Sequence, residues 1–553
     1  MIFRNTTFFL LCFLLLSTAA NAVPARPGVR RNLTLKDGST VSALLVGDEH
    51  GHYWLGEDGK GYRSNYGVYE EIDLKSVQRS ARRLRAQANY RRAQAKRASD
   101  GYFGQKKGLI ILVNFSDVAF QEGHDKKLYQ RIANEKGFRE GRFKGSVYDY
   151  FYDQSEGQFE LTFDIVGPVT VSREQAYYGE NFGKDNADKH PAEMVIEALK
   201  LANDSVNYSD YDWNKDRRVD QVFVVYAGQN EAEGGEDYCI WPHEWTLYSA
   251  NIVYGDGSGG QFMDGVMIDT YACGSELNYY KELAGIGTIC HEFSHCLGYP
   301  DYYDTDYSGG QGMFAWDLMD NGSYNGDGFL PAGFTSYERW VAGWKTPIEL
   351  TDTTYVESMK GLQNGGDTYV IYNKGNRDEF YLLENRQRVK WDGGVPGSGL
   401  LILHVDYNDS IWNDNSPNDD PDHQRMTWIA ADNEYQYEII QGNKYYTFSG
   451  AAKDPFPYDT VNVFNRYTTP AATFYNENAD GTYYMDASVE DITRNPDGTI
   501  SFRYVPYKSQ ETGVGVTRVA EQDDVWYDLT GRRLDSAPTS PGVYIKSGRK
   551  IVL

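Results

Sequence analysis

Residues 291–301 read H-E-F-S-H-C-L-G-Y-P-D. This run constrains the chain more than any other. His291 and His295 stand four residues apart, so on a helix they share one face, about one turn from each other. Two imidazoles at that spacing can hold one Zn²⁺. Glu292, beside the first histidine, can reach a water at such an ion and take its proton. Gly298 can leave the helix in a left-handed conformation that other residues resist. That turn brings Asp301 round as a third ligand and leaves the fourth position open, as a catalytic zinc site requires. A bare H-E-x-x-H is commonly a solvated polar face. Here the preceding L-A-G-I-G-T-I-C of residues 283–290 is apolar and predicts a buried helix. Buried histidines and glutamate need partners, and a metal supplies them.

Met319 follows in a turn sequence, Trp316-Asp317-Leu318-Met319-Asp320-Asn321-Gly322. A methionine turn shortly after the third ligand is similar to the one that metzincin proteases place beneath zinc. The third ligand differs: the metzincin pattern has histidine, and this chain has Asp301. With one carboxylate and two neutral histidines the metal keeps about one net positive charge, so its water is less acidic than with three histidines.

The resemblance extends beyond this helix. The chain resembles the immune inhibitor A-like family of secreted metallopeptidases over roughly residues 105 to 505. The matching blocks are L-I-I-L-V-N-F-S-D at 109–117, S-V-Y-D-Y-F at 146–151, S-E-G-Q-F at 155–159, I-W-P-H at 240–243, F-Y-L-L-E-N-R-Q at 380–387 and P-G-S-G-L-L-I-L-H-V-D at 396–406. The resemblance implies zinc ligands at His291, His295 and Asp301 and a general base at Glu292, the same four that the spacing gives. The expected fold class is α+β: a metzincin-like zinc protease domain followed by a β-sandwich-like accessory domain. In metzincins the edge strand before the zinc helix pairs with extended substrate, which implies that role for residues 266–272.

At 553 residues the chain is too long for one core. Residues 1–22 read as a signal peptide, with Arg4, an apolar run at 8–16 and Ala20-Asn21-Ala22 as the cleavage site. The run is too short to span a bilayer, and no later stretch is long and apolar enough. The protein is expected to be secreted or attached to the cell surface. A net charge of −25 disfavours nucleic acid and anionic membrane. Residues 23–104 read as a propeptide: turns at 36–39 and 57–61 punctuate short strands, and residues 75–97 form a basic helical stretch without an acid. Beside so acidic a body that stretch is expected to dock on it, with processing between Lys96 and Lys107. The catalytic domain covers 105–345, a β-rich accessory domain 346–507, and a C-terminal tail 508–553. The tail resembles the sorting domain of the Bacteroidetes type IX secretion system, implying contact with secretion machinery.

Asp212, Asn214, Asp216 and Asp220 alternate oxygen donors in a tight loop that suits Ca²⁺. It departs from an EF-hand, with Arg217 where the turn glycine belongs and Phe223 where the bidentate glutamate belongs. Asp301, Asp304 and Asp306 offer a second cation site. Of the cysteines beyond the signal, Cys290 and Cys296 flank the zinc histidines on one helix and cannot bridge each other. A Cys239–Cys273 bridge is expected in an oxidising compartment. Some metzincins stabilise the oxyanion with a tyrosine two residues after the methionine; that position is Asn321 here, and Tyr324, the nearest substitute, reads rather as a plain loop tyrosine. These features describe a monomeric zinc endopeptidase made as a zymogen and acting on protein or peptide. The alternative is a non-catalytic surface adhesin with a structural zinc.

Overall fold

Period-two alternation governs the fold. In the computed structural model the described residues are 22–88 and 102–507, except 66, 183–186, 256, 436, 441–442 and 447–449, together with short segments between 526 and 552. Side chains of 82–88 are outside the described set. The chain divides into two compact units, Met1–Val505 and Pro506–Leu553. Residues 1–21 of the expected signal peptide and the basic stretch beyond Ala88 lie outside the described residues.

The catalytic sheet has five strands in the order His243–Thr246, Thr270–Ser275, Val222–Tyr226, Gly104–Asn114, Phe159–Thr170. The last four run parallel, and His243–Thr246 is an antiparallel edge. Odd and even residues of each strand face opposite ways. Ile110, Leu112, Phe223 and Val225 therefore join one core with Ile289, Cys290 and Phe293 of the metal helix. Leu109, Ile111, Val222 and Val224 join another with Ala192, Val195 and Leu199 of the helix Pro191–Ala202. Helices on both faces explain why V-F-V-V-Y is an unbroken apolar run. Residues 266–272 are not one edge strand. Val266–Ile268 forms a hairpin with Gln261–Met263, while Thr270–Ser275 is interior. The edge strand on this side is His243–Thr246, all four of whose residues are buried.

The leader forms a five-stranded antiparallel meander from Arg30 to Ile72, followed by the helix Leu74–Ala88. The turns at 36–39 and 57–61 lie where the sequence puts them. Val77 and Ala81 are buried. The first catalytic strand starts earlier than expected. Gly104 to Gly108 already pair with Phe159 to Phe163, so Lys106 and Lys107 belong to the sheet and not to a cleavable linker.

Between 346 and 505 two sheets share an apolar core. One holds Ile348–Glu349, Tyr369–Tyr372, Glu379–Arg386, Gly399–Asp406 and Met426–Ile429. The other holds Thr354–Met359, Ile500–Pro506, Ala487–Arg494 and Phe464–Asn465. The strand Glu379–Arg386 is buried along its whole length. Its Tyr381 and Leu383 face this core, and Phe380 and Leu382 face the core of the metal helix. In the second unit, the described tail strands form a small sheet in which Trp526–Tyr527 pairs with Arg533–Leu534 and with Val543–Lys546. Among the described residues no helix is long and apolar enough to cross a membrane.

Candidate metal centre

The metal helix is short because its sequence stops it at both ends. It runs Gly287–Ser294 and continues as a 3₁₀ turn, His295–Leu297. Only the second half of the apolar lead-in is helical. At its start Gly287 donates to Gly328 O at 2.9 Å, and a Cβ there would meet Ser323 O at 1.9 Å. Any larger residue would push the helix off the loop beneath it. At its end Gly298 adopts φ 88°, ψ 14° and donates to His295 O. This left-handed exit turns the chain back toward the histidines.

His291 Nε2 and His295 Nε2 lie 3.2 Å apart. Asp301 Oδ1 is 3.1 Å from the first and 3.5 Å from the second. All three residues are buried. The outer atoms are held from behind. His291 Nδ1 donates to Leu318 O and His295 Nδ1 to Tyr299 O, both at 2.8 Å. Asn415 Nδ2 donates to Asp301 Oδ2 at 2.7 Å, and Asp301 N donates to Asn415 Oδ1 at 2.7 Å. With each Nδ1–H committed outward, each Nε2 turns a lone pair inward. Asp301 Oδ1 and Glu292 Oε2 are buried without a hydrogen-bond partner. Two nitrogens and a carboxylate oxygen aimed at one point, with no donor among them, are a donor set that fits Zn²⁺. Burial, with the charge of Asp301 added, drives the Glu292 carboxyl well above its ordinary pKa.

Met319 is fully buried in the loop below, and its carbonyl accepts from Tyr302 N at 2.8 Å. The acidic loop at 415–423 braces the ligand loop. Asn415 holds Asp301, Asn418 donates to Tyr302 O at 2.7 Å, and Asp419 accepts from Thr305. Asp304, Asp306 and Asp419 form a second convergent acidic group there.

The oxygens of Asp212 and Asn214 meet at the Asp216 N–H, at 3.1 and 3.0 Å. Among the described residues, the groups able to gather on one ion are those at 291–295 and at 304, 306 and 419. The loop turns its oxygens on its own backbone instead. Asp212 accepts from the amides of Asp216 and Arg217, Asp216 from Arg218, and Asp220 from Trp213. The expected Cys239–Cys273 bridge is absent: both thiols are free and buried. Strand register pairs Cys273 with His243, and its sulfur contacts His243 Nδ1 at 3.5 Å.

The leader enters this site. Val23 N donates to Glu292 Oε1 at 2.9 Å. Tyr303 OH donates to Ala22 O at 3.0 Å, Trp241 Nε1 to Val23 O at 3.0 Å, and Tyr324 OH to Pro24 O at 2.8 Å. Tyr324 thus holds a carbonyl two residues beyond the one that Tyr303 holds. Tyr303 and Asn415 were missed by sequence reasoning. A hydroxyl two residues after the third ligand was the available signal for Tyr303. Nothing local marks Asn415, which lies more than a hundred residues away.

Residues 94–344 match a family described as immune inhibitor A peptidase M6, catalytic domain. An immune inhibitor A of Bacillus thuringiensis subsp. alesti is 27% identical over 322 residues, 48% of this chain and 44% of the relative. The pre-pro-metalloprotease PrtV of Vibrio cholerae serotype O1 is 28% identical over 278 residues, 43% of this chain and 30% of the relative. The chain spans less than half the length of either. His291, Glu292, His295 and Asp301 all lie within the stretch that matches the immune inhibitor A peptidase M6 catalytic domain.

Proposed function

We propose that the chain is a secreted zinc endopeptidase made with its own leader in the cleft. One observation carries the reading: a single peptide unit is gripped at both ends. The Val23 N–H of the Ala22–Val23 bond meets Glu292, and the Ala22 carbonyl meets the Tyr303 hydroxyl. An adhesin with a structural zinc has no need to bracket a peptide bond, and its zinc would be four-coordinate by protein.

Zn²⁺ on His291, His295 and Asp301 would supply Lewis acidity toward the carbonyl and water. Glu292 takes the proton of the attacking water and delivers it to the nitrogen of the departing amine. Tyr303, and not Tyr324, donates to the carbonyl oxygen as it gains negative charge. The cleft lies between the metal helix and Trp241. Removal of the signal after Ala22 leaves Val23 on the leaving-amine side, like a product still tethered to the enzyme. That supports the zymogen reading. Release then requires a cut before Gly104, where the sheet begins. The tail's likeness to a type IX sorting domain supports export through that machinery.

A casein zymogram on the full chain, before and after cleavage within 89–101, tests the reading. Activity should rise on cleavage, vanish with chelator and return with Zn²⁺. Full activity in a protein that still begins at Val23 and is uncut would refute latency. Binding of casein without any hydrolysis would favour the adhesin.

A further inference from the structure

The leader threads an arginine into a pocket that the catalytic body builds without it. Arg26 Nη1 lies 2.9 Å from Glu233 Oε2, and its Nη2 is paired with Asp327 Oδ1. The guanidinium carbon lies 5.2 Å from the ring centroids of both Tyr279 and Tyr280. The Arg26 backbone N–H donates to Ala232 O at 2.9 Å. Two carboxylates and two aromatic faces make a site for a planar cation.

None of these walls needs the leader to hold its shape. Glu233 Oε2 accepts from Tyr279 N at 3.2 Å, its Oε1 accepts from Asn230 Nδ2 at 3.3 Å, and its own N–H donates to Asn230 Oδ1 at 2.7 Å. The second oxygen of Asp327 is paired with Arg142. Once Arg26 departs, Arg142 remains paired with Asp327, with Glu282 4.0 Å from it, and Glu233 loses its guanidinium partner. The pocket keeps a net negative charge.

Its distance from the chemistry is fixed by the chain that now fills it. Glu292 hands its proton to the nitrogen of the departing amine, and the nitrogen beside Glu292 is that of Val23. Val23 therefore marks the first residue on the leaving-group side, and Arg26 the fourth. The carbonyls between them are held by Trp241 and Tyr324, as a substrate's would be.

We infer that Glu233, Asp327, Tyr279 and Tyr280 form a specificity subsite, which selects peptides carrying arginine or lysine at the fourth residue after the cleaved bond. This rests on the protease reading above. It identifies the leader's Arg26 as a stand-in for a substrate side chain.

The full chain, cleaved within 89–101 and freed of its leader, is tested with two peptides, Val-Pro-Ala-Arg-Pro-Gly and the same peptide with glutamine for arginine. Binding is read by fluorescence polarisation, independently of catalysis. Hydrolysis is read on longer peptides that differ only at the fourth leaving-side residue. The arginine peptide should bind about tenfold tighter, the scale of a charge-assisted pair with aromatic contact. Glu233→Gln with Asp327→Asn should equalise the two. Glu233→Lys should shift preference to a glutamate peptide, an inversion that mere loss of folding cannot produce. Equal binding of the arginine and glutamine peptides by the unaltered protein would overturn the subsite. So would hydrolysis indifferent to the fourth residue, and this second result leaves the protease reading standing. Selective binding without hydrolysis of any peptide would keep the subsite and sink the protease reading.

Discussion

Two segments of this chain carry metal-ligand spacing, and the structure treats them in opposite ways. At 291–301 the outer atoms of His291, His295 and Asp301 are held from behind by Leu318 O, Tyr299 O and Asn415, and their inner atoms face one another. At 212–220 the carboxylates are spent on the loop's own amides. An Asx-rich loop closes on itself because short side chains compete well for nearby N–H groups. A helix cannot do this, since its amides in that stretch are already bonded to carbonyls one turn back. Spacing alone does not distinguish the two segments. What separates them is whether the backbone can consume the ligand atoms.

The sharpest way to break this contrast is Glu292→Gln. The amide leaves the three inward donors alone and removes only the base. Turnover should fall by about a hundredfold to ten-thousandfold, with metal content by elemental analysis unchanged. Metal loss, or surviving turnover, would end the assignment. Next comes Asp301→Ala, expected to lower Zn²⁺ affinity at least about tenfold in chelator competition. An unaltered affinity would place the third ligand elsewhere.

The leader sharpens the contrast through a proton. His52 Nε2 lies 2.8 Å from Glu231 Oε1 of the catalytic body, and both are buried. Burial opposes a charged ring, but the Glu231 carboxylate outweighs it and holds the His52 pKa above the ordinary 6.5. Two more buried carboxylates face this pair: burial raises the pKa of Asp188, and Asp48 adds to the hold on the His52 proton. A raised histidine stabilises fully below its unfolded value and less as pH climbs through the folded one. Leader release from the cleaved protein should therefore speed up as pH rises past about 6.5, the ordinary histidine value. His52→Gln should flatten that profile, and an unchanged profile would remove His52 from the latch. The smallest effect is Asp216→Ala, which removes one acceptor from an exposed loop and should cost about 1 kcal/mol. The cost should be the same in Ca²⁺ and in chelator, by thermal melting. A Ca²⁺-dependent stabilisation that the variant alone loses would restore calcium to the loop.

The helix Gly287–Ser294 was legible because its information is local. Helical periodicity puts His291 beside His295, and only glycine takes φ 88° at 298 without strain. The hairpins of the leader were legible for the same reason. Cys239 and Cys273 were misread because redox compartment says which bonds are permitted, and strand register says which sulfurs meet. Gly104 to Gly108 read as a linker because this end of the strand pairs on one side only and carries polar side chains. The leader contacts of Tyr303 and Tyr324 were not legible, because which leader carbonyl each reaches depends on a contact nearly three hundred residues long.

Asn415 also sets an order in time. Translation delivers His291, His295 and Asp301 well before residue 415, and chains fold from the N-terminus as they emerge. Until the segment after the strand Gly399–Asp406 has come out and seated, Asp301 lacks both of its hydrogen bonds to Asn415. Val370, Phe380 and Leu382, which the metal-helix core also requires, arrive late as well. A ribosome stalled at residue 345 would hold every ligand and a slack centre. The centre is completed last, after a part of the chain that holds none of its inward-facing donors has been made.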